Sequence, residues 1–149
     1  GPKIEELAKK GSYIEIPYLV KGMDLSFSGI VTYLSTLYKK GYKKEDLCFS
    51  FQENCFAMLT EVTERALANC NKKEVVLIGG VAANKRLRDM LTIMCNERKA
   101  KFYSVPLQYS GDHGAMIAYQ GLLEHNKSKI NLDVNPYERA EEVEVTWKY

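Results

Sequence analysis

Two glycines end an apolar run in the middle of the chain and lead directly into a predicted helix. Gly79 and Gly80 follow the run over residues 75–78, and Asn84 lies where the next helix begins. Backbone N–H groups and the positive end of a helix dipole at such a turn can bind an anion or a nucleotide. The Asn84 amide could donate to, or accept from, a ribose or a base. A plain strand-to-helix turn, with glycines for tight packing, explains the same spacing equally well.

A second glycine-rich turn, with the sequence Gly-Asp-His-Gly over residues 111–114, precedes another predicted helix. The Asp112 carboxylate could hold a divalent cation, or it could cap the helix by accepting backbone N–H bonds. Spacing alone favours the cap. His113 and His125 are the only histidines, and one histidine beside one aspartate does not complete a set of metal ligands.

A serine nucleophile, a cysteine metal site and a phosphate-binding face have weaker support in the sequence than the two glycine turns. Residues 24–29, Asp-Leu-Ser-Phe-Ser-Gly, contain two hydroxyls and a carboxylate but not the G-x-S-x-G elbow of many serine hydrolases. The basic run over residues 85–101 could meet phosphate, although a solvated polar face explains it better. The cysteines have no C-x-x-C spacing, so we predict reduced core thiols rather than a zinc site. They are Cys48, Cys55, Cys70 and Cys95.

Length and composition are typical of one ordinary globular domain. The chain has 149 residues, 46% of them hydrophobic and 27% charged, and a formal net charge of +2. These values exclude collagen-like, fibrous and disordered classes. No apolar run approaches the roughly 18 residues of a membrane span, and no signal-like segment opens the chain, so the sequence predicts neither a membrane protein nor a secreted one. A charge of +2 does not by itself indicate nucleic-acid binding.

The elements that must position these turns follow from hydrophobic periodicity. Helices are predicted over residues 3–10, 30–41, 45–71, 87–95 and 117–123, and strands over residues 75–78, 101–105 and 143–147. The longest helix has Glu53, Thr60 and Glu64 opposite its apolar residues. The apolar run over 75–78 is typical of a strand buried on both faces of a sheet. The repeated order of strand, glycine turn and helix indicates an α/β fold, and parallel strands would bring both turns to one sheet edge.

Several segments together resemble one family, the tRNA threonylcarbamoyladenosine synthases, once called O-sialoglycoprotein endopeptidases, whose archaeal and eukaryotic members are the catalytic subunit of the KEOPS complex. The segments cover residues 1–5, 20–29, 79–84, 111–118 and 142–147. The resemblance implies an actin-like ATPase fold (ASKHA), with two ribonuclease-H-like lobes and nucleotide between them. Because full-length members are about twice as long, residues 1–149 are expected to be the carboxyl-terminal half, mostly the second lobe, with a mixed sheet and flanking helices.

The same resemblance assigns roles to individual residues. Adenylate contacts are implied for Gly1, Glu5, Gly79, Gly80 and Asn84, and a metal-ligand role for Asp112. Spacing alone favours a helix cap at Asp112, whereas the resemblance to the family favours a metal ligand there. The implied cofactors are an adenylate, either threonylcarbamoyl-AMP or ATP, and one divalent ion per full-length subunit, namely iron, zinc or magnesium. His113 stands where the family usually has asparagine, and the family's paired metal histidines lie upstream of these residues.

By resemblance, the whole enzyme transfers threonylcarbamoyl from threonylcarbamoyl-AMP to the tRNA adenosine just 3′ of the anticodon, and this chain alone is inactive. The implied partners are tRNA and the KEOPS subunits, especially the small kinase subunit, which would dock on this lobe; no membrane is involved. The implied compartment is the cytoplasm, with the nucleus as a second site. The alternative is a non-catalytic actin-like module that binds nucleotide or docks a partner. A face normally covered by the other lobe is expected to be exposed.

Overall fold

The computed structural model describes residues 1–111, 114–125, 134, 136–137, 139 and 142. The chain divides into two compact units, Gly1–Gly111 and Asp112–Tyr149. The strand predicted over residues 143–147 lies outside the described residues.

The predicted helices and strands of the first unit are confirmed, with ends that differ by at most two residues. The helices are α1 (Pro2–Ala8), α2 (Ser28–Lys39), α3 (Lys44–Asn69) and α4 (Lys85–Glu97). The strands are β1 (Val20–Lys21), β2 (Asp24–Leu25), β3 (Glu74–Leu77) and β4 (Lys101–Ser104). Short 3-10 turns, Gly80–Ala83 and Leu107–Tyr109, follow β3 and β4.

Strands β3 and β4 pair in parallel, with Val75 opposite Phe102. The 3-10 turns that follow them contact each other, so the carboxyl ends of both strands open at one sheet edge, as predicted. Strands β1 and β2 form a separate antiparallel hairpin with Gly22 between them, in the left-handed region at φ +64°. The α/β character is confirmed, while the larger mixed sheet of a complete lobe stays a prediction.

Strand β3 is buried on one face only. Val75 packs with Phe102 against a cluster of buried residues from α3 and α4. On the other face Val76 is 61% exposed and Tyr103 is 47% exposed, and Ile78, just beyond the strand, is 70% exposed. The prediction of a strand buried on both faces is therefore wrong for this structure. Both faces of an apolar strand are buried only where other elements pack on both sides of the sheet. In the first unit, the helices pack on one side.

Helix α3 joins two hydrophobic clusters. Its 26 residues are about 39 Å long at 1.5 Å per residue. The first cluster combines α2 and the amino-terminal part of α3: Ile16, Ile30, Leu37, Leu47, Cys55 and Met58. The second combines the end of α3 with α4: Leu67, Leu87, Leu91, Met94, Cys95 and Ala100.

Two of the glutamates that lie opposite the apolar residues of α3 are in contact with the α4 region instead of facing only solvent. Glu53 and Glu64 are half-buried. Both carboxylates bind arginines of the α4 region, Glu53 with Arg86 at 2.6 Å and Glu64 with Arg98 at 2.6 Å. Amphipathic spacing identified the polar positions, but it could not show that α4 supplies their partners.

A loop segment, residues 12–25, runs along α3 and is called the strap here. Only the last part of the strap is a regular element, the β1–β2 hairpin. The Ile14 N–H donates to Ser50 Oγ at 2.7 Å, and Asn54 Nδ2 donates to the Ile16 carbonyl at 3.1 Å. Ser50 and Asn54 are buried, so α3 supplies the partners that these strap backbone groups would otherwise find in a sheet.

A third tie holds the strap two helical turns further along α3. The Tyr18 hydroxyl donates to the Glu61 carboxylate, which also accepts from Arg65, and Arg65 donates to the Gly22 carbonyl. Desolvation, together with the bond to the Glu61 carboxylate, raises the pKa of Tyr18 to about 12. Tyr18 therefore keeps its proton, and its ability to donate, throughout the neutral range.

All four cysteines are free. Cys55 and Cys95 are buried and Cys48 is half-buried, which confirms the predicted core thiols, and burial raises the pKa of the Cys55 thiol to about 11. For Cys70 the prediction is wrong, because the residue directly follows α3 and is exposed.

The second unit contains helix α5 (Gly114–Glu124), which was predicted. Most of its apolar side chains are exposed, with Ile117 at 74% and Leu122 at 68%. No helix in the described part of the chain is both long enough and apolar enough to span a bilayer.

We expect Asn54→Ala to lower the free energy of unfolding by about 2 to 3 kcal/mol, since it leaves the Ile16 carbonyl buried without its donor. Urea unfolding followed by circular dichroism measures the change. The control is Asn96→Ala, on the exposed side of α4, which should change stability by less than about 0.5 kcal/mol. Similar losses in both variants would show that Asn54 does not anchor the strap.

Candidate functional site

A cavity of about 420 Å³ lies between the start of α1, the middle of α3 and the turn after β3. Four of the five residues that the sequence assigned to adenylate binding line this cavity. They are Gly1, Glu5, Gly80 and Asn84. Residues far apart in the sequence are thus brought to one place, within the first unit of the chain.

The fifth residue, Gly79, shapes the turn instead of lining the cavity. Its φ of +91° lies in the left-handed region that side chains other than glycine rarely adopt. Gly80 has no such requirement, and a Cβ added there would meet no atom within 4 Å. The backbone therefore needs glycine at 79, whereas glycine at 80 leaves open space on the cavity wall.

Asn84 is the N-cap of α4 and also lines the cavity. Its Oδ1 accepts from the backbone N–H groups of Arg86 and Leu87 at 2.9 and 3.3 Å. The helix therefore uses the amide oxygen, and the amide nitrogen is the part that can serve a bound molecule. The sequence left two interpretations of this loop, a capped strand-to-helix turn and a binding loop. In this geometry the loop can be both.

Helix α3 contributes a wall that the sequence patterns did not identify. Phe51, Gln52, Cys55 and Phe56 line the cavity beside the predicted residues. Phe51 and Cys55 fit the apolar face of a helix that packs on the core. Between them, Gln52 has the pattern of an ordinary solvent-exposed polar residue. No spacing rule distinguishes such positions, because the contact depends on the packing of α1 and the turn against α3.

Among the described residues that line the cavity, the one charged side chain is acidic, and the nearby Arg86 is paired with α3. The Glu5 carboxylate can only accept hydrogen bonds, so it suits a hydroxyl or an amine of a bound molecule. Arg86 Nε and Nη2 donate to the two Glu53 oxygens at 2.8 and 2.6 Å, and this bonding raises the pKa of Arg86. Part of the basic run is thus paired with α3 and does not form a free phosphate-binding face.

The predicted metal ligand is not among the residues that the structure describes. Asp112 and His113 lie outside the described residues, so the metal stays a prediction. Within the described ranges, no three histidine, cysteine, aspartate or glutamate side chains come together as a metal site.

Comparison with known proteins identifies the family. The model described as "TsaD: tRNA N6-adenosine threonylcarbamoyltransferase" matches residues 1–119. The chain belongs to the TsaD family. Membership agrees with the α/β elements described above and with the actin-like fold of that family.

Curated relatives in the TsaD family match nearly the whole chain. A tRNA N6-adenosine threonylcarbamoyltransferase of Archaeoglobus fulgidus is 59% identical over 99% of this chain and 47% of the relative. One from Thermococcus sibiricus is 56% identical over the same shares. A probable bifunctional tRNA threonylcarbamoyladenosine biosynthesis protein of Methanocorpusculum labreanum is 54% identical over 100% of this chain and 29% of its own length. The chain thus spans about half the length of the transferases it matches.

Two substitutions at Asn84 separate its role as a helix cap from the predicted contact with an adenylate. Asn84→Asp keeps an oxygen for the α4 cap but replaces the amide nitrogen with a charged oxygen. We expect the AMP affinity of the full-length protein to fall about tenfold or more, with little change in melting temperature. Asn84→Ala removes both functions and should also lower stability by about 1 kcal/mol.

Calorimetry with AMP and thermal melting on the same preparations measure both effects. If Asn84→Asp bound AMP as the wild type does, Asn84 would be a helix cap only.

Proposed function

We propose that this chain is the carboxyl-terminal half, mostly the second lobe, of an enzyme that transfers threonylcarbamoyl from threonylcarbamoyl-AMP to the exocyclic amine of the tRNA adenosine 3′ of the anticodon. The observation that carries the proposal is the meeting of α1, α3 and the glycine turn at one cavity. Membership of the TsaD family, whose curated relatives are named for this transfer, supports it.

The cavity has the chemical groups that an adenylate needs. Its volume of about 420 Å³ falls within the usual range of small-molecule sites, about 300–1,000 Å³. Phe51 and Phe56 offer apolar surface to a base, and Gly80 adds no side chain that would compete for space. Glu5 can accept from a ribose hydroxyl or an exocyclic amine, while Asn84 can donate. We infer that the AMP part of threonylcarbamoyl-AMP binds here.

Holding the AMP part would position the reacting bond. In the transfer, the adenosine N6 forms a bond to the carbamoyl carbon, the bond from that carbon to the AMP phosphate oxygen breaks, and N6 loses a proton as AMP leaves. Fixing the donor and the leaving group in one orientation lowers the entropic part of the barrier. A divalent ion, bound in part by Asp112, would supply Lewis-acid polarisation of the carbonyl.

The full-length protein, assayed with its complex subunits, should modify a tRNA with the matching anticodon. The isolated 149-residue chain should not, because the family's metal histidines and phosphate-facing segment lie upstream of these residues. In the full-length protein, Asp112→Asn should lower turnover by orders of magnitude while the melting temperature of the metal-free protein stays unchanged, since asparagine also caps helices well.

Three outcomes would each contradict one part of this proposal. Turnover by the isolated chain would show that the upstream half is dispensable, and normal turnover with normal metal content in Asp112→Asn would make Asp112 a cap. Adenylate binding without any tRNA modification by the wild-type protein would favour the alternative, a non-catalytic nucleotide-binding module.

We also propose that this lobe docks the small kinase subunit of a KEOPS complex, in the cytoplasm and also in the nucleus. The proposal rests on the resemblance to the archaeal and eukaryotic branch. The immobilised chain should retain the purified kinase subunit but not the dimer-forming subunit, which would bind the other lobe. Loss of the kinase in the wash, with a folded circular dichroism spectrum, would contradict this docking.

A further inference from the structure

The Asn84 side chain is fixed at both ends of its amide group. Its oxygen accepts two backbone N–H bonds from the first turn of α4, and its Nδ2 donates to Gln52 Oε1 at 3.2 Å. Two backbone donors require an oxygen at that end, so the partners themselves settle which way the amide points. Gln52 is then the side chain that holds the nitrogen end.

The position of Gln52 relative to the glycine turn is fixed by neighbouring contacts. It lies half-buried on α3 and lines the cavity. The next residue, Glu53, binds Arg86 through two hydrogen bonds of 2.8 and 2.6 Å. Two consecutive residues of α3 therefore hold two residues at the start of α4, which prevents the Gln52 amide from drifting away from Asn84.

The direction of these bonds decides what the pair can offer to a bound molecule. Both lone pairs of the Asn84 oxygen face helix donors, and the Gln52 oxygen faces Asn84. One N–H of Asn84, the N–H groups of Gln52 and one lone pair of the Gln52 oxygen are left over, so Asn84 itself can offer a bound molecule only a donor. A donor on the bound molecule would meet a donor at Asn84, and a buried unpaired donor is costly.

We propose that Gln52 is a positioning residue for nucleotide binding: it holds the Asn84 amide nitrogen in place, so that the remaining N–H of Asn84 meets a nucleotide atom that accepts a hydrogen bond. Suitable atoms are an unprotonated ring nitrogen and a ribose or phosphate oxygen. Gln52 acts through Asn84 rather than on the reacting atoms. This inference rests on the proposed function, in which the cavity binds an adenylate.

The first test uses the full-length protein labelled with 15N. Gln52→Met has nearly the same shape but no acceptor, so the side-chain amide signal of Asn84 should move from its wild-type position. Gln52→Glu keeps an acceptor oxygen and should leave that signal close to the wild-type position. An Asn84 signal that is the same in the wild type and in Gln52→Met would overturn the positioning role, whether or not AMP binds.

The second test measures AMP binding and the transfer reaction. Gln52→Met should weaken AMP binding about tenfold and raise KM for threonylcarbamoyl-AMP while kcat stays near the wild-type value. In the Asn84→Ala background the same change should have almost no further effect, because the residue it acts through is gone. The control, Gln108→Met in the exposed turn after β4, should leave both constants unchanged.

Wild-type AMP affinity in Gln52→Met would overturn the inference. So would a loss that persists in full in the Asn84→Ala background, which would make Gln52 a direct contact or a structural residue. Failure of the wild-type protein to bind AMP would instead overturn the proposed function and with it the nucleotide selectivity, and the Asn84 signal would still decide whether Gln52 positions the amide.

Discussion

Buried and half-buried polar side chains along α3 are the constraint on which the rest of the first unit depends. A polar group removed from water is costly unless it finds a hydrogen-bond partner. Ser50 and Asn54 meet this requirement with strap backbone groups, and Gln52 and Glu53 meet it with the start of α4. Since these four residues lie within two turns of one helix, the same short stretch sets the path of the strap and the geometry of the cavity.

This arrangement explains why the binding loop can be short and rich in glycine without being loosely placed. The turn after β3 makes few side-chain contacts of its own, because two of its residues are glycines. Its position comes from the parallel pairing of β3 with β4 on one side and from the bonds of Asn84 and Arg86 to α3 on the other. The loop is held at its ends, and the cavity wall between them stays open.

Sequence patterns predicted the helices and strands, but they did not predict which residues of different elements contact each other. Periodicity predicted a helix over residues 45–71 and a strand over 75–78, close to the observed Lys44–Asn69 and Glu74–Leu77. It was wrong about the second face of β3 and did not show the partner of Glu53, because a pattern identifies polar and apolar positions without showing which other element covers them. The glycine turn was visible from its spacing, Glu5 only from family resemblance, and Gln52 from neither, since its role depends on a contact across 32 positions of the chain.

The glycines show how packing and function can be separated in this fold. Gly11 is required by packing, because a Cβ there would lie 2.1 Å from the Glu45 carbonyl oxygen, and Gly79 is required by its positive φ. Neither reason applies to Gly80, whose φ lies outside the left-handed region and whose added Cβ would meet no atom within 4 Å in the part of the chain that the structure describes. What Gly80 does border is the cavity. The protein's own structure thus gives no reason for glycine at this position, and a molecule that approaches the backbone closely there does give one.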